Sequence, residues 1–223
     1  MTMKSTAFWD WFNTEAAPRL SAREVSFRKV FEYLDQFDGP VTIVETGCAR
    51  IAGNWQGDGQ SSVLFDHYLR LGHPESVAYA VDLDPKATEL CRQLVSERVR
   101  LHTGDSVPVL LRIARELQDS GRSIHLLYLD SYDVDWNHTT PSAVHHLKEL
   151  VSIIGAVRPE TLVVVDDAPQ NVRAMPDANG QFSMIARPTV GGKGVFVAEY
   201  AEQVGAKPAF AHYQVGWTGL VPA

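Results

Sequence analysis

The chain of 223 residues has little of what usually announces a function. It has only two cysteines, Cys48 and Cys91, in separate predicted elements and without the spacing of a zinc site. Free thiols of a cytoplasmic protein are therefore expected rather than a disulfide framework. No apolar run approaches the ~18 residues of a membrane span. The opening MTMKSTAFWDWFNTEAAPRL has one early lysine and no continuous apolar stretch, so no secretory signal is predicted. Basic residues are in deficit: 20 Lys and Arg against 27 Asp and Glu leave a net charge of -7, the wrong sign for a broad nucleic-acid footprint. No GxxxxGK[ST] occurs, which excludes a P-loop, and no GxGxxG, which removes the main signature of an NAD-dependent oxidoreductase. The expected partner is a small molecule, with neither nucleic acid nor membrane.

What is present is a regular alternation. The segment Ala7 to Phe37 reads as helical, with apolar residues at Phe27, Val30, Phe31 and Leu34. Pro18 sets it apart from an aromatic stretch, FWDWF, which is a candidate substrate lid or dimer contact. Strands are predicted at Val41–Val44, Val77–Val81, Val99–His102, Ile124–Leu129 and Thr161–Val165. Helices are predicted between them, at Ser61–Leu71, Pro85–Glu97, Ser106–Asp119 and Thr140–Val157. Asp84 is the N-cap of the helix that opens on Pro85. The uninterrupted LVVV suits a strand covered on both faces. Beyond Gly180 the pattern changes: Gln181–Ala186 and Gly194–Glu199 read as two strands joined by a tight turn at GGKG, and Phe210–Val215 as one more. An α/β fold is implied, with a mostly parallel sheet finished by antiparallel strands.

The polar residues gather where each predicted strand stops: Glu45-Thr46-Gly47, Asp82, Gly104-Asp105-Ser106, Asp130 and Asp166-Asp167. One or two such acids are ordinary helix initiators. Five in succession deliver carboxylates to the carboxyl edge of the sheet, where ligands of open α/β sheets bind. Gly47 permits close backbone approach, the helix beginning at Ser61-Ser62 presents free N–H groups, and Asp82 is placed to accept the hydroxyls of a ribose.

In their order and spacing, VETGC, YAVDLDP, LHTGDS, IHLLYLDSYD and LVVVDD resemble the successive motifs of the Rossmann-like (class I) S-adenosylmethionine-dependent methyltransferases, over about Val41 to Val197. The resemblance implies a seven-stranded, mostly parallel sheet with helices on both faces and an antiparallel C-terminal strand. It also implies a methyltransferase domain over residues 39–223, preceded by a helical lid or oligomerisation segment over 1–38. Glu45 and Gly47 would lie near the methionine, Ser61 and Ser62 beside the cofactor, Asp82 on the ribose, and Asp105 and Ser106 at the adenine. The loop ARIAGNWQGDGQ departs from the family, whose turn is shorter there.

Asp130, Asp166 and Asp167 end two neighbouring predicted strands. Carboxylates brought that close repel unless protonated or bridged by a cation, and Mg²⁺ or another hard divalent ion takes such oxygen ligands. The arrangement resembles that of metal-dependent small-molecule O-methyltransferases. It implies that Asp130, Asp166 and Asp167 hold the metal, which chelates two substrate oxygens while a base removes the hydroxyl proton. Where the family often has Lys or His as base, this chain has Asp133; His138 in WNHTT is the preferred proton acceptor and Asp133 the other candidate. The alternatives are a metal-independent O- or N-methyltransferase, in which Asp130 orients an amine, and a catalytically silent nucleotide-binding module. His145-His146 read as surface or packing residues, and Trp55 either stacks on the ligand or packs back on the fold.

Overall fold

A computed structural model describes residues 6–176 and 179–222. The chain opens with α1 (Thr6–Trp11), passes through a π turn (Phe12–Ala16) and two 3-10 turns (Ala17–Arg19, Ser21–Arg23), and enters α2 (Glu24–Leu34). Then come β1 (Thr42–Thr46), α3 (Ser61–Leu71), β2 (Val77–Asp82), α4 (Pro85–Leu94), β3 (Val99–Thr103), α5 (Ser106–Asp119), β4 (Leu126–Leu129), α6 (Thr140–Ile153) and β5 (Leu162–Val165). The helix and strand order of the first 165 residues is the one the periodicity predicts. At α4, Asp84 caps by accepting the Lys86 N–H at 2.9 Å, with Pro85 in the first turn.

The C-terminal part completes the sheet. β6 (Gln170–Pro176) and β7 (Phe182–Val190) form a separate two-stranded sheet; α7 (Val195–Gln203) follows, then β8 (Pro208–Ala211) and β9 (Val215–Trp217). The sheet has seven strands in the order β3-β2-β1-β4-β5-β9-β8. β1 to β5 run parallel, and β9 inserts antiparallel beside β5. The expected antiparallel finish is present. The segment Gly194–Glu199, expected as a strand, is instead the start of α7: Val197 and Ala201 are buried one turn apart, so the helical period wins over the alternation of Val195 and Val197. GGKG is accordingly a strand-to-helix junction rather than a hairpin turn.

Alternate residues of each central strand go to opposite faces, and both faces are covered. Ile43, Ala78, Leu126, Leu162 and Val164 pack under α2 and α3, whereas Val44, Tyr79, Leu127, Val163 and Val165 pack under α5, α6 and α7. The aromatic N-terminus belongs to the first of these cores. Phe8 and Phe12 are fully buried, with Phe8 4.6 Å from Phe31 and 5.1 Å from Tyr68 between ring centroids. Trp55 packs back toward Trp11 at 6.4 Å, and His67 stacks on Trp11 at 3.8 Å.

At the tip of β1 the backbone turns under the tip of β4. Gly47 has φ +80°, and a Cβ there would lie 2.5 Å from the carbonyl oxygen of Asp130. Gly47→Ala is thus expected to cost about 2–4 kcal/mol, from left-handed strain plus a clash with backbone. Urea unfolding should show a lower midpoint at unchanged slope; a midpoint equal to wild type would show that the two tips do not approach this closely.

Candidate functional site

Strand order reverses between β1 and β4, and the crevice outside the carboxyl ends of those strands is where the sheet can take a ligand. A cavity of about 240 Å³ opens there, lined by Gly47, Cys48, Ser61, Asp82, Asp130, Asp133 and Asp167 among others. Ser61 reaches it because α3 starts at that residue, and Asp82 because β2 ends there. Asp82 is held by two backbone N–H groups: Cys48 donates to Oδ2 at 3.2 Å and Asp84 to Oδ1 at 2.8 Å.

Asp130, Asp166 and Asp167 converge, offering one oxygen each within 4.8 Å of one another. Two cations of the chain itself lie on them. Arg23 Nε donates to both oxygens of Asp166 at 3.0 and 2.9 Å, and its Nη2 donates to Asp167 Oδ1 at 3.1 Å. Its Nη1 donates to the carbonyl oxygen of Gln56 at 3.1 Å, and its guanidinium lies over the Tyr213 ring at 4.8 Å. Lys193 Nζ donates to Asp130 Oδ1 at 2.5 Å and lies 3.0 Å from Asp167 Oδ2, with its side chain only 1% exposed. The Tyr213 hydroxyl donates to Asp167 Oδ1 at 2.6 Å. Two cations thus face three carboxylates, and the imbalance falls on Asp130. Its burial drives the carboxyl well above the usual range; Lys193 pulls it back, while Asp166 and Asp167 push it further up. Burial works in the same direction on Asp167, but Lys193, the Tyr213 hydroxyl and Arg23 together hold it below the ordinary value. The donor chemistry and the spacing of the three carboxylates fit a hard divalent cation, and Lys193 occupies two of the oxygens such an ion would use.

The remaining predicted residues divide by position. Glu45 is fully buried on the α3 side of β1 and accepts from Ser61 Oγ at 2.9 Å, while its Oε1 has no hydrogen-bond partner among the described residues. Burial above all, with Cys91 adding to it, holds this carboxyl well above the ordinary range. Ser62 is buried too, and its Oγ accepts the Ala49 N–H at 3.3 Å, tying the long loop to α3. Asp105 caps α5 through the Val107 N–H at 3.0 Å, and Ser106 Oγ lies 3.0 Å from His145 Nε2. Asp133 lines the cavity and pairs with Arg50 at 2.9 Å. His138 is exposed and is not among the residues lining it. His145 and His146 flank the buried Glu149, which accepts from Thr46 Oγ1 at 3.1 Å and Ser131 Oγ at 2.5 Å. Burial lowers the His146 pKa to about 4, so that imidazole is a neutral packing group.

Sequence reasoning missed Arg23 and Lys193. Arg23 had a signal: it stands four residues before Phe27 on the buried stripe of Phe27, Val30, Phe31 and Leu34, where a charge needs a partner. Lys193 sat in a glycine-rich stretch whose place in the fold is set by contacts far along the chain.

No family model and no curated protein matches the sequence. Solved structures do match. MycE methyltransferase from the mycinamycin biosynthetic pathway, in complex with Mg, SAH and mycinamycin VI, aligns at 15% identity and TM-score 0.52 over 88% of this chain and 48% of that one. The shared feature is the Rossmann-like fold: a mostly parallel seven-stranded sheet flanked by helices. A second MycE crystal, with Mg and SAH, matches at 19% identity and TM-score 0.44, covering 65% of this chain and 32% of that one. The sugar N-methyltransferase KedS8 from Streptoalloteichus sp ATCC 53650 matches at 11% identity and TM-score 0.49, over 96% of this chain and 93% of that one. The chain spans about half or less of the length of MycE. Among the described residues no helix is long and apolar enough to cross a membrane.

Proposed function

We propose that the protein transfers the methyl group of S-adenosylmethionine to a hydroxyl of a small molecule, with a divalent cation assisting at the carboxylate trio. The observation that carries this reading is the convergence of Asp82, Asp130 and Asp167 on one cavity at the strand-order reversal of a methyltransferase fold. The convergence also argues against a silent nucleotide-binding module, which needs no carboxylate cluster. That MycE was solved with Mg and SAH supports the choice of ligands. S-adenosylmethionine supplies a methyl group already activated on a sulfonium, and the divalent ion supplies a Lewis acid that draws an oxygen toward its anionic form.

Residues of this chain would do the rest. Asp82 takes the ribose hydroxyls, and its two backbone donors keep the carboxylate aimed at the cavity. Gly47 leaves room beside the cofactor's methionine end. Asp130 and Asp167 would hold the ion, while Asp166, bound to Arg23, would fix the wall of the site. Alignment of the acceptor with the methyl group then supplies much of the rate. Asp133 lines the same cavity and is the base that takes the hydroxyl proton. A sugar, polyketide or phenolic hydroxyl suits a cavity with so polar a lining. A second reading, metal-independent transfer to oxygen or nitrogen, is favoured by the Lys193 ammonium at 3.0 Å from Asp167.

The test is calorimetric titration with S-adenosylmethionine, followed by SAH release over a panel of hydroxyl and amine acceptors with Mg²⁺ or chelator. Saturable binding with turnover on hydroxyls alone bears the proposal out; a folded sample that binds no S-adenosylmethionine overturns it. With an acceptor in hand, Asp133→Asn is expected to lower kcat by about 10²–10⁴-fold at unchanged cofactor affinity. His138→Gln should stay within about threefold. The reverse order would return the base to His138.

A further inference from the structure

The oxygens of the carboxylate trio are not equally free. Both oxygens of Asp166 accept from Arg23 Nε, and Oδ1 of Asp167 accepts from Arg23 and Tyr213. Of the oxygens that remain, Oδ1 of Asp130 and Oδ2 of Asp167 face the Lys193 ammonium. The fold places that ammonium there by a backbone device. Gly192 has φ +52°, and a Cβ on it would lie 1.9 Å from the carbonyl oxygen of Asp167. The Lys193 N–H donates to the same carbonyl at 3.0 Å. Only glycine lets the chain pass so close to the end of β5, and the next side chain is thereby sent into the cluster.

The two cations differ in how firmly they are held. Arg23 is fixed by Asp166, Asp167, the Gln56 carbonyl and the Tyr213 ring at once, through a planar group with a set geometry. Lys193 is held through a single nitrogen on a flexible stem, by the two carboxylates a metal would need. Counted with all three carboxyls ionised, the trio keeps one net negative charge beside both cations and two without Lys193, the balance a divalent ion neutralises.

We propose that the Lys193 ammonium is the resident cation of this site, and that a divalent ion binds Asp130 and Asp167 only by taking its place. The inference rests on the cation-site half of the proposed function and not on methyl transfer. It makes Lys193 the residue that sets metal affinity, and it makes the GGKG junction a built-in competitor of the ion.

Mn²⁺ titrated by calorimetry into wild type, Lys193→Met and Lys193→Met/Asp130→Asn tests it. Lys193→Met is expected to bind one ion at least tenfold more tightly than wild type, and the double variant to lose that gain. Equal affinity in wild type and Lys193→Met, or no binding to either, overturns the proposal. Should Lys193→Met fail to fold, reductive methylation of wild type read by peptide mass spectrometry decides instead. Buried Lys193 should become labelled when Mn²⁺ is added, against exposed Lys29 and Lys86 as internal standards. Labelling of Lys193 that Mn²⁺ leaves unchanged overturns the proposal as well. S-adenosylmethionine titrated into the same samples reads the methyltransferase assignment separately.

Discussion

Replacing Arg23 by methionine is expected to destabilise the protein by about 3–5 kcal/mol, the cost of leaving a buried carboxylate without its cation. Asp166 is fully buried, and Arg23 is its hydrogen-bonding cation at both oxygens. Methionine has the length to replace the arginine stem, so lost packing contributes little and the unpaired charge dominates. For a chain of this size the loss corresponds to a fall in Tm of roughly 6–20 °C. Arg23→Lys separates charge from geometry. One ammonium cannot serve Asp166, Asp167 and the Gln56 carbonyl together, so this variant should fall between wild type and Arg23→Met. Adding Asp166→Leu to Arg23→Met should recover much of the loss, because an apolar pair in that place leaves no charge to solvate. Thermal unfolding of the four proteins measures all of this. An Arg23→Met variant within about 0.5 kcal/mol of wild type, the range of ordinary surface changes, would mean that Asp166 does not depend on Arg23 as its partner.

Asp82→Ala is the second large effect expected: a loss of S-adenosylmethionine affinity of about 10–150-fold. Hydrogen bonds to a charged group are worth about 1.5–3 kcal/mol, and 1.4 kcal/mol is a factor of ten. The carboxylate also anchors the Cys48 and Asp84 N–H groups, so its removal loosens both the turn after β1 and the start of α4. Asp82→Asn retains an acceptor for one of these donors and should lose less. Calorimetry gives the affinities, and circular dichroism at the same temperature checks that the fold remains. If Asp82→Ala binds S-adenosylmethionine within about threefold of wild type, the cofactor does not lie across the tip of β2, and the assignment of this crevice fails.

Much of this protein was legible without coordinates. Strand and helix are local matters of period, so Leu162–Val165 reads as a strand covered on both faces and Ser106–Asp119 as an amphipathic helix. The strand-end acids are legible for the same reason: once the strands are located, parallel order sends Asp82, Asp130, Asp166 and Asp167 to one edge. Where two periods competed, as over Val195–Gln203, alternation misled, because what buries Val197 and Ala201 together is packing against the sheet.

Tertiary structure alone decided what the acids meet. Arg23 is 143 residues from Asp166, and Lys193 is 63 residues from Asp130. The buried stripe shows that Arg23 needs a partner, but nothing local in either segment says which residue it is. The sequence determined that carboxylates would gather at the end of this sheet; the path of the chain decided which cations lie among them. The reason is physical: backbone preference acts over a few residues, whereas an ion pair forms wherever the fold brings opposite charges out of water together.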